Sequence, residues 1–209
     1  MSSDEQQDSH GHAAPAPDGR SLRALLTERL ELKVYTAELC AIPAENRTAF
    51  ARATGVEVAA DWPPEHLDAD ALQWCAGKMH EQPEAARWLL HYIVLRSGEG
   101  RAGPLIIGTA GYKGPPDTTG TVEIGYSVVP SHQRRGYASE AVRELIAHAF
   151  ADVTVRQVVA ETYPELLPSL GVMAKNGLVY AGLGSEPRVV RYELSRRRWI
   201  ECCAVEEGQ

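Results

Sequence analysis

The chain has 209 residues, 44% of them apolar and 23% charged, and a net charge of −7. That length suits one domain with a sizeable core, and the composition is that of a soluble globular protein, which excludes fibres and wholesale disorder. The acidic balance argues against nucleic acid or an anionic membrane as the main partner, since both require a basic face.

Residues 1–20 carry no large apolar side chain after Met1, so they are expected to form a disordered tail, with His10 and His12 solvated and no metal bound. The folded domain is expected over 21–200, with Ser21 as a cap or strand lead-in and 201–209 as a second tail. Residues 30–34 read as a first strand and 35–41 as a helix. Helical apolar spacing follows over 45–54 and 68–79, on either side of the breaker Asp61-Trp62-Pro63-Pro64.

Two runs rich in β-branched and aromatic residues, 88–96 and 105–113, are separated by a glycine-containing reversal and predict a hairpin. Residues 114–120 make the next turn, so the strand over 121–129 completes an antiparallel meander. An amphipathic helix over 134–150 places Ala138, Ala141, Val142, Leu145, Ile146, Ala149 and Phe150 on one face. A strand over 157–162, a helix over 167–176 ended by Gly177, and two closing strands over 179–185 and 188–195 finish the domain. Arg196, Arg197 and Arg198 read as a solvated exit segment. One strand-helix-strand crossover in a mostly antiparallel sheet predicts an α+β fold with helices on the sheet faces.

Cys40, Cys75, Cys202 and Cys203 form no Cys-x-x-Cys pair and no regular framework, so reduced thiols are expected. The most apolar run, residues 88–95, is too short to span a bilayer, and no charged-then-apolar leader is evident, which makes the cytoplasm the expected location.

The segment Gln133-Arg134-Arg135-Gly136-Tyr137-Ala138 sits where a strand hands over to a helix. Unpaired first-turn amides and the helix dipole favour an anion there, Gly136 allows close approach, and two arginines suit a ligand with several phosphates. No glycine-rich loop ending in Lys-Ser or Lys-Thr is present, nor a triple-glycine dinucleotide fingerprint. Gln or Arg, two residues, Gly, one residue, then Gly or Ala is the acetyl-coenzyme A signature of the GNAT N-acetyltransferase superfamily, which this segment resembles at every specified position. Glu123-Ile124-Gly125-Tyr126-Ser127-Val128 before it is similar to the fourth strand of the branch that acetylates ribosomal-protein N-terminal alanine or serine. That branch also carries an Asn, a Ser three residues on, and a Lys-x-Gly-Phe ending; here Leu166, Ser169 and Lys175-Asn176-Gly177-Leu178 stand there, so the Asn is replaced.

The resemblance implies a GNAT-like single domain that moves an acetyl group from acetyl-CoA to a primary amine, a protein N-terminus or a small molecule. A non-catalytic acyl-CoA-binding module is the rival reading, and a homodimer is among the assemblies open to the chain. Gln133 to Ala138 would hold the pyrophosphate. Backbone amides near Val128 and Val129 would polarise the thioester carbonyl if the strand splays or bulges, with Pro130 helping the splay. Glu123 is the candidate base, acting directly or through water, and alternation puts it on one face with Gly125 and Ser127 while Tyr126 packs in the core. Ser169, with Tyr163 as second choice, is the candidate donor to the leaving thiolate. Trp62, Trp74 and Trp88 read as core anchors, and Asp61, Glu65, Asp68 and Asp70 as helix-start acids.

Overall fold

The computed structural model describes residues 23–98 and 102–206. The expected tail over 1–20 and Ser21 lie outside the described residues. In chain order the elements are β1 (Leu25–Leu26), β2 (Leu30–Val34), α1 (Ala37–Cys40), α2 (Arg47–Thr54), β3 (Glu57–Val58), α3 (Ala69–Glu81), β4 (Leu90–Leu95), β5 (Leu105–Tyr112), β6 (Thr121–Val128), α4 (Tyr137–Ala151), β7 (Gln157–Thr162), α5 (Leu167–Lys175), β8 (Val179–Leu183), β9 (Val190–Ser195) and α6 (Arg196–Glu206).

Among the described residues the strands form one sheet in the order β1-β2-β4-β5-β6-β7-β9-β8, with β3 pairing β5 from the side. All path neighbours are antiparallel except β6 and β7, which are parallel and joined through α4 as the crossover rule requires. The mixed, mostly antiparallel α+β architecture expected from the sequence is therefore the observed one.

Directly paired residues share a face, so the register sorts the side chains. His91, Ala110 and Tyr126 lie on the face that α4 covers, as does Tyr112, whose hydroxyl donates to the Leu145 carbonyl at 2.6 Å. The apolar stripe of α4 packs on the sheet: Ala141, Val142, Leu145 and Ala149 are completely buried, and only Ala138 at its start is half-buried. The opposite face carries Tyr92, Thr109 and Ser127. Over Tyr92 the helices α1 to α3 form a cover whose centre is a stack of Tyr35 on Phe50 (5.0 Å) and Phe50 on Trp62 (5.2 Å). Buried Trp62 satisfies its indole by donating to the Ala44 carbonyl at 2.9 Å.

The chain end departs from the sequence expectation. Arg196 to Glu206 is a helix, so the domain boundary expected after residue 200 falls inside an element. Arg196 is no solvated exit residue either: its guanidinium donates to the carbonyls of Val155, Phe150 and Asp152, and Trp199 packs on Phe150 at 5.0 Å. These partners are tens of residues away, which is why local composition gives no sign of them. The helix expected from residue 134 begins at Tyr137 because Arg134 and Gly136 both have positive φ, 61° and 85°.

Candidate active site

β6 and β7 are paired only from Thr121/Gln157 to Glu123/Val159; beyond that β7 stays with β9 while β6 stays with β5. The two strands therefore diverge from Ile124 onward and open a wedge in the sheet. Pro130 does not cause it. That residue starts a short 3-10 turn, Pro130–His132, six residues after the divergence begins. Nor is there a bulge, since β5 and β6 keep unbroken register from Gly108/Val128 to Tyr112/Ile124.

The alternation of ladder bonds assigns the backbone groups. Val129 N–H donates to the Ile107 carbonyl at 2.9 Å and Lys113 N–H to the Glu123 carbonyl at 2.9 Å, so odd-numbered residues of β6 face β5. The Val129 amide is thus spent on the sheet and is not the oxyanion donor expected of it. Val128, with Tyr126, directs its amide into the wedge, whereas the Ile124 amide still belongs to the last rung of the β6-β7 ladder. The Val128 carbonyl is held at 2.8 Å by the Gln133 side chain, which turns back onto the strand rather than outward.

At the mouth of the wedge the loop delivers its turn to α4. Arg134 and Arg135 are exposed, and no side chain caps the helix behind Gly136. Holding Arg134 in the left-handed region costs roughly 1–2 kcal/mol, the kind of strain that persists where a backbone concavity is used. Tyr137 is 1% exposed, so its ring belongs to the core, and Ala138 is half-buried. Gly136 at φ 85° admits no ordinary side chain without strain, and a Cβ there would lie 3.4 Å from Arg29 Nη2.

Arg29 is a residue sequence reading missed. Its Nε and Nη2 both bond Glu140 Oε2 at 2.7 Å, its Nη1 donates to the Arg135 carbonyl at 3.2 Å, and its guanidinium lies 4.6 Å from the Tyr137 ring centre. Glu140 Oε1 also accepts from the Arg29 N–H at 2.8 Å and the Thr27 hydroxyl at 2.5 Å. Partial burial pushes the Glu140 carboxyl up, yet these donors outweigh it and hold its pKa below the usual carboxylate range. Arg29 and Glu140 are 111 residues apart and meet only through the fold, so no local pattern marks either of them.

Glu123, Gly125 and Ser127 share the face opposite α4, as alternation requires. Open space lies above Gly125, which is exposed. Glu123 is half-buried and ion-paired with Lys113, and its Oε1 takes no hydrogen bond in addition. Glu161 on β7 belongs to the same face; its carboxylate accepts from the Ser185 N–H at 3.0 Å and hydroxyl at 2.6 Å, with Arg191 at 3.4 Å. Ser169 stands in the first turn of α5, where its hydroxyl and carbonyl each lie 3.1 Å from the Tyr126 hydroxyl. Tyr126 is therefore only partly core: its phenol reaches from β6 to α5 behind the wedge, and burial raises its pKa. Tyr163, the second choice for proton donor, and Leu166 are both exposed at the end of β7.

A profile of the family described as the Acetyltransferase (GNAT) domain matches residues 38–179. The chain belongs to the GNAT acetyltransferase family. Among curated proteins it is 36% identical over 74 residues to the uncharacterized N-acetyltransferase YjdG of Bacillus subtilis, covering 35% of this chain and 44% of that one. It is 32% identical over 92 residues to FsC-acetyl coenzyme A-N(2)-transacetylase of Aspergillus fumigatus, covering 39% of each. The matches thus span about half or less of these relatives' length. The fold is that of Mycobacterium smegmatis RimJ in complex with CoA-disulfide: TM-score 0.55 at 17% identity, covering 88% of this chain and 92% of that one. Among the described residues of this GNAT domain no helix is long and apolar enough to cross a membrane, and no group of three His, Cys, Asp or Glu residues is placed to hold a metal ion.

Proposed function

We propose that this protein transfers an acetyl group from acetyl-CoA directly to a primary amine. The observation that carries the reading is the uncapped N-terminus of α4, preceded by left-handed Gly136, opening at the mouth of the wedge between β6 and β7. A diphosphate fits the first-turn amides beside Arg134 and Arg135, and the pantetheine arm fits the wedge, where it meets the backbone edge of β6 as an added strand would. The Val128 amide, aimed into the wedge, is the donor to the thioester carbonyl as negative charge develops on its oxygen.

The neutral amine attacks the carbonyl carbon, a C–N bond forms, the C–S bond breaks, and the thiolate leaves. Glu123 takes the proton from the amine. It stands five residues before Val128, about 16 Å along an extended strand, which supports relay through water over Gly125 rather than direct contact. Ser169, its hydroxyl already bonded to Tyr126, supplies a proton or hydrogen bond to the departing sulfur. In this reading the acceptor approaches from the α1 to α3 cover, and a protein N-terminus and a small amine remain the two acceptor classes.

Calorimetry with acetyl-CoA, followed by free-thiol release across panels of peptides and small amines, tests the proposal. Heat with no thiol release for any acceptor supports the rival reading of a non-catalytic acyl-CoA-binding module, which Leu166 and the lack of a Tyr on α5 favour.

A further inference from the structure

We propose that Arg29 is a positioning and charge-compensating residue for the diphosphate of coenzyme A, supplied by the β1-β2 turn from outside the signature loop. The inference rests on the acetyl-CoA reading above and extends it to a segment that precedes the residues matched by the family profile, 38–179.

The starting point is a conflict of charge. Glu140 sits in the first turn of α4, where a carboxylate is favourable toward the helix dipole while no ligand is present and repels any anion that docks on the same amides. Glu140 is nevertheless tied into the fold, because Oε1 accepts from the Thr27 hydroxyl and the Arg29 N–H and so links the β1-β2 turn to α4. Arg29 resolves the conflict. Two of its nitrogens converge on Glu140 Oε2 at 2.7 Å, which places a full positive charge against the carboxylate. The pair is partly shielded, with side-chain exposures of 31% and 15%, so solvent screens it less than a surface pair.

The same guanidinium acts on the loop. Its Nη1 holds the Arg135 carbonyl at 3.2 Å, drawing an oxygen dipole away from an incoming phosphate, and its Nη2 edge borders Gly136. Stacking over Tyr137 at 4.6 Å fixes the plane of the group. Arg29 therefore does two things for the cradle: it cancels Glu140 in the field that the diphosphate meets, and it fixes the orientation of the peptide before Gly136.

The test compares wild type, Arg29→Met, Arg29→Lys and the double variant Arg29→Met with Glu140→Gln, all as the full chain with folding checked by circular dichroism. Affinity for coenzyme A is measured by calorimetry at two salt concentrations, and affinity for phosphate-free acetyl-pantetheine by competition. Arg29→Met should weaken coenzyme A by about tenfold or more, because it leaves a bare carboxylate beside the diphosphate, while acetyl-pantetheine changes little. Removing that carboxylate in the double variant should recover part of the loss, Arg29→Lys should fall between, and the Arg29→Met deficit should shrink at high salt. Should Arg29→Met fail to fold, Arg29→Lys against wild type carries the same comparison of the two ligands. Equal weakening of both ligands, or a double variant no better than Arg29→Met, overturns the proposal. A wild-type chain that gives no heat with coenzyme A strikes the acetyl-CoA reading itself, whereas normal wild-type binding with an unaffected Arg29→Met strikes only the role of Arg29.

Discussion

Both carboxylate oxygens of Asp61 are taken by Ser131: Oδ2 accepts the backbone N–H at 2.7 Å and Oδ1 the hydroxyl at 2.8 Å. Asp61 precedes the buried Trp62 of the α1 to α3 cover, and Ser131 lies in the turn that leads to Gln133, so this one contact ties the cover to the loop before α4. Partial burial pushes the Asp61 carboxyl up, but the Ser131 bonds and nearby His132 outweigh it and lower its pKa. Asp61→Ala should cost about 1 kcal/mol after allowance for its exposure, and should raise KM for the acyl donor and the acceptor together. Urea denaturation and initial rates check this; a change confined to stability would reduce the contact to a structural one.

Gly108 faces Val128 across the β5-β6 ladder so closely that a Cβ would stand 2.3 Å from the Ser127 carbonyl oxygen and 3.0 Å from Val128 Cα. The obstruction is backbone, which has no rotamer to yield. Gly108→Ala must push β6 away where the Val128 amide is aimed, so a loss of about 1–3 kcal/mol in stability should accompany a larger fall in kcat than in donor affinity. Denaturant midpoints and single-turnover rates on the same preparation measure both; full activity in the variant would remove Val128 from the proposed role.

His91 is 1% exposed and its Nδ1 lies 3.0 Å from the Leu89 carbonyl. Burial lowers its pKa from near 6.5 to about 4, and burial with the Arg87 charge also lowers that of His148, whose Nδ1 lies 2.9 Å from the Tyr112 hydroxyl. Both histidines are thus held neutral in the fold. The sign follows: the unfolded chain binds the extra protons, so their contribution is complete above about pH 6.5 and is lost as pH falls toward about 4. His91 alone should remove on the order of 3 kcal/mol across that window. Asp61, Glu140, Asp152 and Glu161, all lowered, add losses only at more acidic pH. Urea titrations at pH 7 and pH 5 should show the drop, and His91→Gln should flatten it; equal midpoints at the two pH values would contradict the assignment.

Strands β4 to β9 and helices α2 to α5 were legible because each carries its own period or terminator. The wedge was half legible: the strand and the loop were seen, but where β6 leaves β7 depends on which residues β9 claims. Two-residue strands such as β1 and β3 hold too few residues to show alternation, and α6 is stabilised by Arg196 reaching carbonyls 41 to 46 residues away. The signature loop was readable as a contiguous word. Arg29 and Glu140, 111 residues apart, and Asp61 and Ser131, 70 apart, were not, since a pair that meets only through the fold leaves no local mark.

Glu123 is the side chain on which the proton-transfer reading turns. Glu123→Gln preserves shape while removing the charge proposed to take the amine proton, and it leaves Lys113 beside a neutral amide. If Glu123 is the base, kcat at neutral pH should fall by about a hundredfold, coenzyme A affinity should stay near that of the wild type, and the rate should recover as pH rises and the free amine becomes abundant. Lys113→Met separates the alternatives. It removes the same ion pair but keeps the carboxylate, so a merely structural role predicts equal losses in the two variants, whereas a base predicts a far smaller loss for Lys113→Met. Rates from pH 6 to pH 9 with a saturating acceptor give both numbers, and unchanged turnover in Glu123→Gln would assign the proton to water alone.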